Sequence, residues 1–505
     1  MLKKILVCGT VLSFTAVYVP AFAQSKAAQK IAKQITPESL KDKLSIIAGA
    51  EMEGRETATP GQEKAAAYIA SKFQQAGLEA PVNNGYLQYW PVYQDELVSS
   101  QLTVYNHSFE KNVHYALPQL NNIFTGTQQI NSVVFIGFMD DSLTQNVSDK
   151  WVIVADGLRA RAGQNAQTLE YRSPAPFYEK LRAKGAKGVL VVQRGFPYKT
   201  APATKGNMYV EKRANTTPFI VATISETLFS SIISNQSVSN FANIASLPQQ
   251  EYATKISLAA DKASNKLTSS NVLGVVTGKS KPNEYVILTA HYDHLGKRGN
   301  DIYYGADDDG SGTAAVVELA EAFAKAKKKG DGPERSVVFM AVSGEEKGLW
   351  GSKFYSDNPV FPLDKTSADL NIDMIGRIDP SYKGDSLNYV FAIGEDKISS
   401  DLQGITDSVN KVFLNMEVDR RYNDPNDKNR FYFRSDHYNF ARKGVPVIFY
   451  FNGVHADYHR QTDTVEKINF PLMAKRAQLV FLTAWEMANR PNMLVRDKPI
   501  PTATR

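Results

Sequence analysis

Two histidines and an aspartate fall within four positions at His291, Asp293 and His294, in the stretch TAHYDHLG. Sixteen residues past His291 begin three consecutive aspartates, Asp307 to Asp309, in GADDDGSG. Farther on stand Glu345 and Glu346 in SGEEKGLWGS, Asp373 in NIDMIG, and His459 in HADYHRQTDT. Imidazole nitrogen and carboxylate oxygen are donors for a divalent cation, and a carboxylate left free beside that cation can serve as a general base. Each motif alone has a plainer reading. HYDH is a polar loop, GEEKG a pair of surface charges, and DDDGSG a loop leading into a helix or around calcium. The EF-hand version fails on spacing: with Gly310 as the turn glycine, Gly305 takes the first ligand position and Val316 the last. The joint occurrence carries the weight.

Each of these motifs is placed by an apolar run. YVILTA leads into His291, SVVFMAVS into the glutamate pair, LNI into Asp373 and VPVIFYF into the loop before His459, while GTAAVVELAEAFAKA follows the aspartates as a helix opening near Ser311. Continuous apolar strands alternating with amphipathic helices are buried on both faces, which predicts an α/β fold with a mostly parallel (mixed) sheet flanked by helices. Such sheets bind ligands beyond the carboxyl ends of their strands. Carboxylates crowded there would repel one another and hold protons more tightly. A divalent metal removes that conflict.

The rest of the 505-residue chain frames this unit. Lys3 and Lys4, an apolar run and the small residues Ala21 to Ala23 read as a secretory signal peptide over 1–23, cut before Gln24. Export, to the periplasm or the exterior, is therefore expected. Cleavage would remove Cys8, the single cysteine, leaving no disulfide, so stability must come from a large core. The formal charge of +6 falls to +4 without Lys3 and Lys4, too mild to point to nucleic acid. No later stretch is long and apolar enough to span a membrane. ITPESLKDKLSIIAG predicts a helix capped by Thr36 with Pro37 at its first position, and TPGQEKAAAYIASKFQQAGLEA a second one closed by Gly77. From about Gln94 to Ala263 short β-type runs (INSVVFIGF, DKWVIVADG, KGVLVVQRG, TPFIVATIS) surround one helix-like stretch, APFYEKLRAKGA. No internal repeat or low-complexity tract is evident.

The five motifs together resemble the co-catalytic dizinc exopeptidases, peptidase family 28, which include bacterial leucyl-type aminopeptidases and the glutamate carboxypeptidase II group. LSIIAGAEMEGRETATPGQEKAAAYIASKFQQAGLE is similar to their amino-terminal segment, and KLRAKGAKGVLVV to the protease-associated domain often inserted before the first metal histidine. The resemblance implies a catalytic domain over 24–95 and 268–490, an inserted β-rich protease-associated domain over 96–267 and a tail over 491–505. It implies two zinc ions: His291 and Asp373 at one, Glu346 and His459 at the other, with Asp308 bridging. Asp293 would orient the histidine ligand, Glu345 would be the general base, and Tyr458 would steady the oxyanion. His294, His437 and His455 are left without assigned roles and read as supports behind the ligands or as structural.

Those roles agree with the residue chemistry. Three protein ligands per zinc leave room for water, two metals sharing a carboxylate acidify a bridging water and polarise a carbonyl, and Glu345 would carry the water proton to the leaving amine. The expected function is an exported aminopeptidase acting on peptide substrates. A glutamate carboxypeptidase-like enzyme, a one-zinc glutaminyl cyclase and a non-catalytic binding protein on the same scaffold are the alternatives.

Overall fold

The computed structural model describes residues 26–120, 123–156, 174–211, 219–235 and 241–502. The expected signal peptide with Cys8 and the last residues of the expected tail lie outside them. The chain divides into two compact units, one made of the chain up to Trp90 with Thr268–Arg505, the other of Pro91–Leu267. Among the described residues, no helix is long and apolar enough to cross a membrane.

The first unit is built on a mixed sheet. Its strands lie in the order Glu417–Asp419, Tyr389–Ile393, Val447–Phe451, Thr366–Ile372, Lys281–His291, Arg335–Val342 and the end of Glu251–Val276. The four from Val447–Phe451 to Arg335–Val342 run parallel, and antiparallel pairs close this core on both sides. Every residue of Arg335–Val342, Thr366–Ile372 and Val447–Phe451 is buried, including the polar Asp369 and Asn371, which accept from the Thr289 hydroxyl. Alternate side chains serve opposite faces. Val286, Leu288 and Ala290 join a core with the helices Pro37–Ile47, Pro60–Ala76, Gly312–Lys328 and Phe470–Asn489, while Tyr285 and Ile287 join one with Trp350–Asp357 and His437–Ala441.

Local signals end the helices where expected. The Thr36 hydroxyl accepts from the Ser39 N–H at 3.2 Å, and Pro37 takes the first helical position. Gly77 closes Pro60–Ala76 at φ +83, a conformation that favours glycine. The strands Tyr389–Ile393 and Glu417–Asp419 and the helix Leu402–Phe413 were not anticipated. The strands are too short to show a period, whereas the helix carries an apolar stripe at Leu402, Ile405, Val409 and Phe413 that could have revealed it.

In the second unit Gly126–Phe138, Trp151–Ala155, Gly188–Val192 and Ile220–Ile224 run parallel in that order. The first part of Glu251–Val276 adds an antiparallel partner to Gly126–Phe138. The expected helix appears as Ala175–Ala183, joined by two short ones that the sequence pattern did not reveal, Glu226–Ile232 and Phe241–Ile244. The first of these starts at Ser225, whose hydroxyl accepts from the Leu228 N–H at 3.1 Å. This is an N-cap legible only beside an already recognised helix.

Candidate metal centre

The carboxyl ends of neighbouring parallel strands bring the acidic and imidazole side chains of the first unit together. His291 is the last residue of Lys281–His291, the glutamate pair follows Arg335–Val342, and Asp373 follows Thr366–Ile372. Asp308 lies in Ala306–Ser311, an irregular turn feeding Gly312–Lys328, and Tyr458 and His459 lie in the loop beyond Val447–Phe451. His291 Nε2 stands 3.3 Å from Asp308 Oδ1, 3.7 Å from Asp373 Oδ1 and 3.9 Å from Glu345 Oε2. His459 Nε2 stands 3.1 Å from Asp308 Oδ2 and 3.2 Å from Glu346 Oε2. Asp308 thus turns one oxygen to each histidine. The two glutamates part: Glu346 faces His459, and Glu345 approaches His291.

Metal donors fit this arrangement. Tetrahedral zinc with bonds of about 2.0–2.2 Å places neighbouring donor atoms about 3.3–3.6 Å apart, close to the separations here. Asp308 Oδ2 and Glu346 Oε1 are buried with no hydrogen-bond partner, a state that is costly unless a further group receives them. His291, Asp308 and Asp373 offer donor atoms that all lie within 4.8 Å of one another, and so do His294, Asp308 and Glu346. The second set places His294 beside two of the residues expected at the second zinc.

The backbone sorts the three aspartates. Asp307 turns its Oδ1 to the Gly376 N–H at 2.7 Å, and its Oδ2 lies 3.1 Å from His455 Nε2. Asp309 accepts from the N–H groups of Gly312 (2.8 Å), Met374 (3.0 Å) and His291 (3.2 Å). Asp308 is left facing His291, His294 and His459. Asp463 supports its loop by accepting from the N–H groups of Asp307 and Asp308 at 3.0 and 3.1 Å. Ser435 donates to Asp373 Oδ2 at 2.6 Å. Asp293 departs from its expected role in detail. Its backbone carbonyl, not its carboxylate, meets His291 Nδ1 at 3.1 Å, while the carboxylate accepts from Thr57 Oγ1 at 2.8 Å and the Glu345 N–H at 3.2 Å. Asp293 therefore orients the histidine and positions Glu345 together.

Arg55 is a further organiser that the sequence pattern did not single out. Fully buried, it donates to the carbonyls of Ile47, Tyr292, Tyr304 and Gly305 and ties the loops that carry His291 and Asp308 to the amino-terminal helices. Burial lowers its pKa to about 10, and Asp293, Asp309, Asp308 and Asp463 oppose that fall. His437, by contrast, serves the core, stacked on Phe449 at 4.9 Å.

Residues 271–484 match the sequence model of peptidase family M28. Over these residues the chain is similar to peptidase family M28. A probable zinc metalloprotease of Pyrenophora teres f. teres (strain 0-1) is 28% identical over 280 residues, 48% of this chain and 56% of that protein. The chain spans just over half the length of the curated relatives it matches over the longest stretches. The aminopeptidase from Aneurinibacillus sp. strain AM-1 aligns at TM-score 0.52 and 18% identity, covering 95% of this chain and 100% of that one. A zinc aminopeptidase from Bacillus subtilis aligns at TM-score 0.51 and 17% identity, with 92% and 99% covered. These two likenesses are likenesses of fold.

At this site the charges hold one another in definite states. Burial works against charge on Asp308, but His291, His459 and His294 outweigh it and keep its carboxyl well below the usual range. Burial likewise opposes a charged His459, yet Asp308 and Glu346 push it up to about 10. Glu345 differs. Burial, reinforced by Glu346, Asp373 and Asp436 against the pull of His291, raises its carboxyl well above the usual range. Burial and the surrounding carboxylates also raise Tyr458, keeping its hydroxyl a proton donor. Tyr458 lines a cavity together with His291, Asp308, Glu345 and Asp373, whose remaining walls are Met374, Phe431, Phe449, Phe451, Val454 and the exposed Arg434.

Proposed function

We propose that this chain is an exported zinc-dependent exopeptidase, acting as an aminopeptidase on peptides. The observation that carries the reading is the pair of donor sets sharing Asp308, with Glu345 beside them and left over. One zinc would be held by His291, Asp308 and Asp373, the other by Asp308, Glu346 and His459. Two ions held there would supply Lewis acidity to a water and to the scissile carbonyl. Glu345 takes the water proton and hands it to the leaving amine. Asp293, bonded to the Glu345 N–H, holds that base in position. The Tyr458 hydroxyl donates to the developing oxyanion, and the apolar wall of Phe431, Phe449 and Phe451 receives the terminal side chain.

The names of the relatives, a zinc metalloprotease and zinc aminopeptidases, support this reading. Residues 96–267, which contain none of the proposed ligands, are proposed as a protease-associated domain that influences substrate choice. One observation favours a second reading: Arg434, lining the same cavity, could capture a substrate carboxylate, as a carboxypeptidase requires. A panel of aminoacyl and carboxy-terminal chromogenic substrates, with and without chelator, with the α-amine free or acetylated and the terminal carboxylate free or amidated, separates the two. Chelator-sensitive turnover lost on acetylation is expected. Turnover that survives acetylation but needs a free carboxylate would transfer the protein to the carboxypeptidase reading, and turnover unaffected by chelator would end both.

A further inference from the structure

His294 stands in a place that the two three-ligand sites leave unexplained. It is fully buried, and neither ring nitrogen has a hydrogen-bond partner. Its Nδ1 lies 2.9 Å from Glu346 Oε1 and 3.8 Å from Asp308 Oδ2. The first contact falls outside hydrogen-bond alignment, since Glu346 Oε1 also has no hydrogen-bond partner. Glu346 thus turns one oxygen to His294 and the other to His459, whose ring centres are 5.9 Å apart.

The backbone builds this position. The His294 N–H donates to the Arg55 carbonyl at 3.3 Å. Gly305, at φ +55, lies against the ring, and a Cβ there would come within 2.4 Å of His294 Cγ. Only glycine lets the imidazole occupy this place. A buried imidazole with both nitrogens unsatisfied, packed against two carboxylate oxygens of which one is itself orphaned, is a donor lacking its acceptor.

We propose that His294 is a fourth protein ligand of the second metal position, beside Asp308, Glu346 and His459. The inference rests on the dizinc reading above and deepens it. His294 Nδ1 and His459 Nε2 lie 3.8 and 3.1 Å from the shared Asp308 Oδ2 and 2.9 and 3.2 Å from the two oxygens of Glu346, distances around the spacing of about 3.3–3.6 Å expected for donors on tetrahedral zinc. The two positions are then unequal. The one at His291 has three protein ligands and an open place, as catalytic zinc sites do, while the one at His294 and His459 has four, as closed sites do. The second position retains its ion more firmly, and the first is the one that exchanges ligands.

Full-length protein stripped with chelator and titrated with cobalt(II) alone tests this by affinity, stoichiometry and visible spectrum, without an activity assay. Wild type should bind two equivalents in two affinity classes. His294→Ala should weaken the tighter class by more than about 100-fold, beyond the 10–100-fold that loss of an orienting partner costs, and change the absorption of that equivalent. His294→Gln keeps side-chain bulk and a hydrogen-bond donor toward Glu346, and should not restore the tight class. It also decides the matter should the alanine variant fail to fold. Binding of both equivalents within about tenfold of wild type in His294→Ala, or recovery in His294→Gln, would overturn the ligand role and leave the dizinc reading standing. A wild-type stoichiometry of one would bring down the dizinc reading, and the fourth ligand with it.

Discussion

Replacing Asp463 tests whether the Asp308 loop is held for metal binding from a distance of 155 residues. Asp463 is fully buried, and its Oδ2 accepts two backbone N–H groups at 3.0 and 3.1 Å. A hydrogen bond to a charged group contributes about 1.5–3 kcal/mol, so alanine removes about 3–6 kcal/mol of support. An opposing effect operates in the metal-free protein. Burial first, then the charge of Asp307, raises the Asp463 carboxyl to about 6 from its ordinary 3.8. A raised carboxyl loses stability as pH climbs through that interval, so at pH 7 the full cost, about 3 kcal/mol, is present. Alanine relieves it. The metal-free variant should therefore lose only about 0–3 kcal/mol, the difference of those two effects. Zinc on Asp308 leaves the burial of Asp463 and the charge of Asp307 in place, so this opposing effect persists in the loaded variant. The Asp463 bond to the Asp308 N–H fixes the carboxylate that zinc needs, and its loss should lower zinc affinity by about 1.5–3 kcal/mol, or roughly 10–100-fold. Asp463→Asn keeps an oxygen for both N–H groups and should stay within about tenfold of wild type. Urea unfolding with and without zinc, together with competition against a chelating dye, measures each quantity. A folded Asp463→Ala that binds zinc within about threefold of wild type would refute the reasoning.

Three further outcomes are expected. Glu345→Gln should keep both metals while kcat falls about 10²–10⁴-fold, whereas Glu346→Gln should lose metal and recover partly with added zinc; zinc content and kcat of both variants check this, and the reverse pattern would exchange their roles. At pH 7 the metal-free His459, held at about 10, carries a proton that a metal ligand must give up. Titration calorimetry in buffers of different ionisation enthalpy should therefore show zinc binding releasing about one proton fewer in His459→Ala. Burial lowers His437 to about 3, so the neutral ring's stability is fully present above pH 6.5 and is lost as pH falls toward that value. Between pH 6.5 and 4.5 this amounts to about 3 kcal/mol, and His437→Phe, which keeps a ring against Phe449, should narrow the gap between urea midpoints measured at pH 7 and pH 4.5.

The sequence alone placed the residues along one sheet edge. Apolar runs buried on both faces announced Lys281–His291, Arg335–Val342, Thr366–Ile372 and Val447–Phe451, and Thr36 and Gly77 marked helix ends because caps act on their own neighbours. A strand's direction carries the residue after its last apolar position to the ligand edge, so His291, Glu345, Glu346 and Asp373 were legible. What each side chain faces was not. Asp293 meets Thr57 across 236 residues and Arg55 reaches Gly305 across 250, contacts that leave no periodic trace in either segment. The three aspartates are alike in sequence, and only the N–H groups of Gly376, Met374 and Gly312 make Asp307 and Asp309 supports while Asp308 faces the histidines. His294 belongs with them. Its composition showed a histidine beside a metal motif, and the packing of Gly305 and Glu346 around its ring decided which way that histidine points, because direction is a property of surrounding atoms and not of the residue itself.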